Sequence, residues 1–268
     1  MTVVIENVDK TFRGADGSPV HALAGVNLSV AAGELVCILG GSGCGKSTLL
    51  RIIGGFETAT AGLVSVGGRL VTGPGPDRGF VFQDYGLFPW LSVAGNIGFG
   101  PRRRGLPGDQ VDEIVGRFTR LVGLERFAAR YPSELSGGMQ QRVAIARVLA
   151  NDPSVLLMDE PFGALDSLTR EAMQHELQVI ASQLAATVLF VTHSVEEAVY
   201  LADRVVVMGG GANHGTPGHI ETIVPVLLAH PRDVTAPEFN EIKRGLRAVI
   251  HGETELVAGG LEPAAVTV

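Results

Sequence analysis

The stretch GGSGCGKST, Gly40 to Thr48, follows the apolar run ELVCILG and leads into a helix expected over Lys46 to Ile53, which stops at Gly54-Gly55. A buried strand, a glycine loop and a helix in that order constrain this chain more than any other feature. Glycines let successive backbone N–H groups curl around an anion without Cβ clashes. The pattern satisfies G-x-x-x-x-G-K-[ST], which makes Gly40, Gly41, Ser42, Gly43, Cys44 and Gly45 a cradle for phosphate oxygens. In that reading Lys46 reaches the β- and γ-phosphates, the Ser47 hydroxyl ligates Mg²⁺ and Thr48 bonds a phosphate one position further in.

The rest of the chain supplies a sheet to carry this loop. TVVIENV and VNLSV read as N-terminal strands with the turn GADGSP between them, GLVSVGGRLV as an edge hairpin, and DRGFVFQ, SVLLMDE and TVLFVTH as further strands. Val111, Ile114, Val115, Phe118 and Leu121 recur at helical spacing, as do Met173, Leu177, Ile180 and Leu184. Met139 to Ala150 also fits a helix. Strands alternating with helices indicate an α/β sheet domain. A mainly helical part, residues 84–151, interrupts a core made of 1–83 and 152–208. Beyond Met208 the pattern weakens: GGGANHGTPGHI reads as a loop, APEFNEIKRGLRAVI as a last helix and ELVAGGLEPAAVTV as a loose tail, within a C-terminal segment 209–268.

Two other stretches carry chemistry. In VLLMDE an apolar strand delivers the Asp159 carboxylate to a Mg²⁺ shell, and Glu160 follows at its exit. A carboxylate beside a triphosphate meets like-charge repulsion and partial desolvation, which favour its protonated form and suit the polarising of an attacking water. In ELSGGMQQRVAIAR, Ser136, Gly137 and Gly138 stand ahead of a second amphipathic helix, where bare N–H groups again favour an anion. One chain thus carries two phosphate-binding features.

Bulk properties narrow the partners. A formal charge of −7 over 268 residues gives no general attraction to nucleic acid or to an anionic lipid surface. The basic run Arg102-Arg103-Arg104 reads as a solvated loop. Cys37 and Cys44 are too few for a disulfide framework and read as reduced thiols of a cytosolic protein. No signal-peptide pattern and no membrane-spanning apolar run is expected, so work at a membrane would be done from its side.

With these motifs in order, the chain resembles the ATP-binding subunits of ABC transporters from about Val3 to Met208. Beyond the glycine loop and the acidic strand, the resemblance rests on Phe12, Gln83, LSGGM, the ALD of Ala164 to Asp166, and His193. It implies a P-loop NTPase fold of the ABC type, α/β, with a mainly parallel core sheet, antiparallel N-terminal strands and a helical subdomain. It also implies ATP and Mg²⁺ as ligands. Phe12, which alone would read as core, corresponds to an aromatic that stacks on adenine. Gln83 corresponds to a glutamine that contacts Mg²⁺ or the water and relays nucleotide state. His193, which alone would read as a helix-capping residue, corresponds to a switch histidine on the γ-phosphate. Lys46, Gln83, Glu160 and His193 are then the catalytic set, with Ser47, Gln83 and, through water, Asp159 on the metal.

The same resemblance implies that Ser136, Gly137 and Gly138 bind ATP held by a second copy of the chain, with Asp166 on the loop that crosses the dimer interface. Met139 stands where the family most often has glutamine. GPGPDRGFVFQDYGLFPWLSVAGNIGFG, DEPFGALDSLTREAMQHEL and THSVEEAVYLADRVVVM are similar to the importer branch for nitrate, taurine, alkanesulfonates and similar solutes. The implied partners are two integral membrane permease subunits and, indirectly, an external solute-binding protein, with the chain peripheral on the cytoplasmic face. Tyr85, Leu87, Phe88, Pro89 and Trp90 line the permease groove or pack inside the helical part. Rival functions are an ABC-type ATPase acting on nucleic acid or ribosomes, a P-loop kinase or GTPase that acts as a monomer, and a binding module without catalysis.

Overall fold

The computed structural model describes residues 1–163, 165–184, 186–211 and 215–251. Strands β1 (Val3–Arg13) and β2 (Pro19–Val30) form a hairpin, and β3 (Leu35–Gly40) leads through the glycine loop into α1 (Lys46–Gly54). The edge hairpin is β4 (Ala61–Val66) and β5 (Arg69–Leu70), followed by β6 (Arg78–Val81). Three helices come next: α2 (Val93–Arg103), α3 (Gly108–Leu121) and α4 (Gly137–Leu149). The chain then alternates β7 (Val155–Asp159), α5 (Ser167–Leu184), β8 (Thr187–Thr192), α6 (Val195–Leu201) and β9 (Arg204–Gly211). It continues through β10 (Thr216–Pro225) to α7 (Pro237–His251).

Among the described residues these strands make a ten-stranded sheet in the order β5-β4-β1-β2-β10-β9-β3-β8-β7-β6. From β9 to β6 every pairing is parallel, whereas β1 pairs antiparallel with β2 and β4. The parallel strands β3, β7 and β8 are buried at every position, as expected of strands covered on both faces. The two-residue period of β3 divides its side chains. Leu35, Cys37 and Leu39 join the core under α4, α5, α6 and α7, while Val36 and Ile38 join the core under α1 and the N-terminal strands.

Two readings from sequence need correction. Arg102 and Arg103 belong to the last turn of α2 and Arg104 caps it, so the basic run is helical, not a loop. Arg104 donates to the carbonyls of Asn151 (3.0 Å) and Ala150 (3.3 Å) at the end of α4, where a cation meets unpaired carbonyls at the negative end of the helix dipole. The stretch read as a loop after Met208 contains the end of β9 and the start of β10, an antiparallel pair. Two of its glycines, Gly211 and Gly218, serve close packing. A Cβ on Gly211 would stand 2.6 Å from the Gly43 carbonyl oxygen, and one on Gly218 would stand 2.0 Å from that of Cys44. Residues 212–214, Ala164, the tail from Glu255 and the side chains of Ile180 and Leu184 lie outside the described residues. Met173 and Leu177 of that stripe are buried.

The segment after β10 is fastened by Arg232, which is 6% exposed. Its guanidinium donates to the carbonyls of Val199 and Ala202, each at 2.7 Å, and to those of Val226 and Leu228. Arg232→Ala orphans buried carbonyls on both sides and is expected to cost about 3 kcal/mol, read from urea unfolding. Arg232→Lys should not rescue it, because a single ammonium lacks the planar fork that reaches both sides.

Candidate functional site

The site forms where the parallel strands end. Leu39 is level with Thr192, and Asp159 with Val191, so the residues that follow β3, β7 and β8 emerge along one edge of the sheet. Those residues are the glycine loop, Glu160 and His193. Ligands of open α/β sheets bind at this carboxyl edge.

The loop is shaped for an anion. Gly45, at φ 95°, caps α1 without any side-chain hydrogen bond, so the first N–H groups of the helix are left to whatever lies ahead. No other residue type fits there, since a Cβ would lie 2.5 Å from Leu23 Cδ2 and 3.0 Å from the Ala22 carbonyl oxygen. Lys46 is buried, and its ammonium donates to the carbonyls of Gly40 and Gly41, both at 2.8 Å. Ser47 Oγ donates to Asp159 Oδ1 at 2.8 Å. Asp159 is 2% exposed, and burial pushes its carboxyl above the usual aspartate range, with the nearby Glu160 charge adding to the rise. The Ser47 bond, Arg51 and Lys46 oppose it.

Glu160 leaves β7 at φ 47°, an unusual conformation for a glutamate, with its N–H on the Val191 carbonyl at 3.1 Å. Its Oε2 is 3.3 Å from His193 Nδ1. A buried network fixes the turn that carries His193. Thr192 Oγ1 donates to Glu197 and accepts from the Ser194 N–H at 3.0 Å, and Gln174 Nε2 donates to Glu197 Oε1 at 2.9 Å. Ser194, not His193, caps α6 by accepting from the Glu197 N–H. Gln83 lies two residues beyond β6. With Tyr85, Gln141, Gly163, Glu160 and His193 it lines a cleft of about 350 Å³.

Other site candidates lie elsewhere. Phe12 is 37% exposed on β1 opposite Val20, with the Lys10 ammonium 4.7 Å from its ring centre. The hairpin that holds it is the one whose Ala22 and Leu23 press on Gly45, which sets an apolar platform near the glycine loop. Ser136 and Gly137 are exposed at the start of α4, outside the cleft, with Ser136 Oγ accepting from the Met139 N–H at 3.3 Å. The Met139 side chain packs on the core. Asp166 is exposed and caps α5; the bonds from Thr169 hold its carboxyl below the usual range, with Arg142 adding a smaller pull.

The chain resembles known proteins in sequence and in fold. A family model described as ABC transporter matches residues 23–163. The chain belongs to the ABC transporter ATP-binding family. It is 46% identical to the nitrate import ATP-binding protein NrtD of Synechocystis sp. over 91% of this chain and 90% of that one. It is 43% identical to the taurine import ATP-binding protein TauB of Roseobacter denitrificans over 97% and 98%. Among solved structures, the dimeric ATP-binding cassette MJ0796 bound to ADP and phosphate matches with a TM-score of 0.74 at 33% identity, covering 85% of this chain and all of that one. The fold is therefore that of an ABC ATPase, as the motifs led one to expect. Sequence reasoning passed over Gln141, whose place in the cleft only the folded helix reveals, and Asn96, whose buried side chain bonds the backbone of Phe88, Leu91 and Ser92.

The buried Asp159 gives a pH test. Between the ordinary aspartate pKa and its raised folded value, the folded chain holds more protons than the unfolded one, so this group's contribution to stability falls as pH rises through that window. Asp159→Asn removes the slope and is expected to raise the melting temperature of the nucleotide-free protein at neutral pH while abolishing Mg²⁺-dependent ATPase activity. Calorimetry across pH, with a phosphate-release assay, checks both.

Proposed function

We propose that this chain is the ATP-hydrolysing subunit of an ABC import system and works as a homodimer with each ATP held between two chains. The observation that carries this reading is a division within the molecule. The glycine loop, Asp159, Glu160 and His193 gather at one sheet edge, and Gln83 lines a cleft with Glu160 and His193, whereas Ser136 and Gly137 are exposed at the start of α4 and do not line it. Ser136 and Gly137 of one copy complete the site of another when two copies face each other. Leu168, 77% exposed beside Asp166, suits the same contact.

Within each site, Gly40 to Gly45 and Lys46 hold the phosphates, Thr48 adds a bond and Phe12 supports the adenine. Glu160 polarises the attacking water and takes its proton, while His193, whose Nδ1 is 3.3 Å from the Glu160 carboxyl, contacts the γ-phosphate. Ser47 Oγ and the Asp159 carboxylate, bonded at 2.8 Å, are the hard oxygen donors that Mg²⁺ prefers, and Gln83 can add its amide oxygen. When bound, the ion neutralises phosphate charge. A triphosphate between two electropositive helix starts draws the chains together, and hydrolysis weakens that attraction.

The nitrate and taurine import relatives support extending this reading to transport, with a small solute of that kind as the cargo. No helix among the described residues is long and apolar enough to cross a membrane, consistent with a peripheral subunit on the cytoplasmic face. Two permease subunits form the pathway, and an external binding protein delivers solute to them. Trp90, 69% exposed, and Phe88, with ring centres 5.6 Å apart, offer the permease an apolar surface that Asn96 braces from behind.

Glu160→Gln should cut ATP hydrolysis by about a hundredfold or more while ATP-dependent dimerisation persists, seen by light scattering. A monomer at saturating ATP and Mg²⁺ would contradict the shared site. Ser136→Arg should abolish hydrolysis with nucleotide binding largely intact, because its lesion falls on the neighbour's ATP. Equal loss of both would mean that the serine only supports its own helix.

A further inference from the structure

Three buried side-chain atoms among the described residues lack a hydrogen-bond partner, and two of them, Gln141 Oε1 and Arg142 Nε, are on consecutive residues of α4. Native proteins keep few such atoms, and each one calls for an explanation. Gln141 is 2% exposed, yet it lines the cleft with Gln83, Glu160 and His193. Its amide oxygen is thus buried in a residue of the cleft wall with no donor to meet it.

The turn that follows Gln83 is bolted to the same helix. Arg147 of α4 donates to the carbonyls of Gly86 at 2.6 Å and Tyr85 at 3.2 Å, and its guanidinium lies 5.2 Å from the Phe88 ring centre. Tyr85 is held there at φ 63°, a strained conformation for an aromatic residue. At the other end of α4, a Cβ on Gly137 would stand 3.3 Å from the Tyr85 hydroxyl oxygen. The turn thus touches α4 from its first residue to its last turn, and Gln141 lies between these anchors. Ser136 precedes Gln141 by five positions on a rigid rod, about 7.5 Å along the axis.

We propose that Gln141 is a positioning residue that links the two nucleotide sites of the dimer, its orphaned amide oxygen accepting a hydrogen bond from the Gln83 side-chain amide once that cleft is filled. The bond pairs the buried oxygen and draws α4 toward its own site, and the helix carries Ser136 into place on the partner's nucleotide. One helix then serves two ATP molecules: Gln141 answers to the one in its own chain and Ser136 to the one in the other. This rests on the shared-site reading above.

Gln141→Met tests it, because methionine keeps the volume and removes the acceptor. In the nucleotide-free protein the melting temperature should stay level or rise, since an unpaired buried oxygen has been removed. In the ATPase assay kcat should fall about tenfold with KM for ATP within about twofold, and the Hill coefficient for ATP should drop toward one. Unchanged kcat and Hill coefficient would overturn the proposal. So would a fall in melting temperature that accompanies the loss of rate, which marks a packing role alone. Should the wild-type protein itself turn over ATP as a non-cooperative monomer in this assay, the shared-site reading fails instead.

Discussion

Parallel pairing of β3, β7 and β8 is the constraint on which the rest depends. Because Leu39, Thr192 and Asp159 finish at nearly one level, their successors share a single edge, and groups far apart in sequence are brought to it. Such a sheet must be covered on both faces. The helices that cover it also deliver the remaining groups: α1 the lysine and serine, α4 the glutamine in the cleft and the exposed serine. Packing and chemistry are thus the same arrangement viewed from two sides.

The edge carries unbalanced polarity. Asp159 is buried with a serine hydroxyl for a partner, Lys46 is turned onto carbonyls of its own loop, and Glu160 sits in a conformation that few glutamates adopt. A protein selected only for stability would not keep these together. In the proposed function their common remedy is a ligand that brings negative phosphates to the lysine and a cation to the carboxylate. On that reading the stability forgone at this edge is returned on binding.

How far this was legible in the sequence follows from what each element asks of its residues. Apolar runs such as LVCIL and VLLM, short and ended by a glycine or an acidic residue, announce strands covered on both faces. The glycine loop announces itself because its geometry excludes other residues. The β9–β10 pair stayed hidden for the same reason seen from outside: Gly211 and Gly218 look like loop residues, and only the nearness of Gly43 and Cys44 explains them. Arg104 was obscure because its acceptors, at the end of α4, lie more than forty positions away. Gln141 gave no signal at all, since a glutamine on an amphipathic helix reads as surface until tertiary packing buries it.

The central claim is that one chain holds only part of the machinery for each ATP. Its most direct test is the rate of ATP hydrolysis per chain as the protein is diluted, with association followed in parallel by light scattering. Once monomers predominate, each tenfold dilution should lower the rate per chain about tenfold. A constant rate per chain under dilution, in a sample that scatters as monomer, would contradict the account.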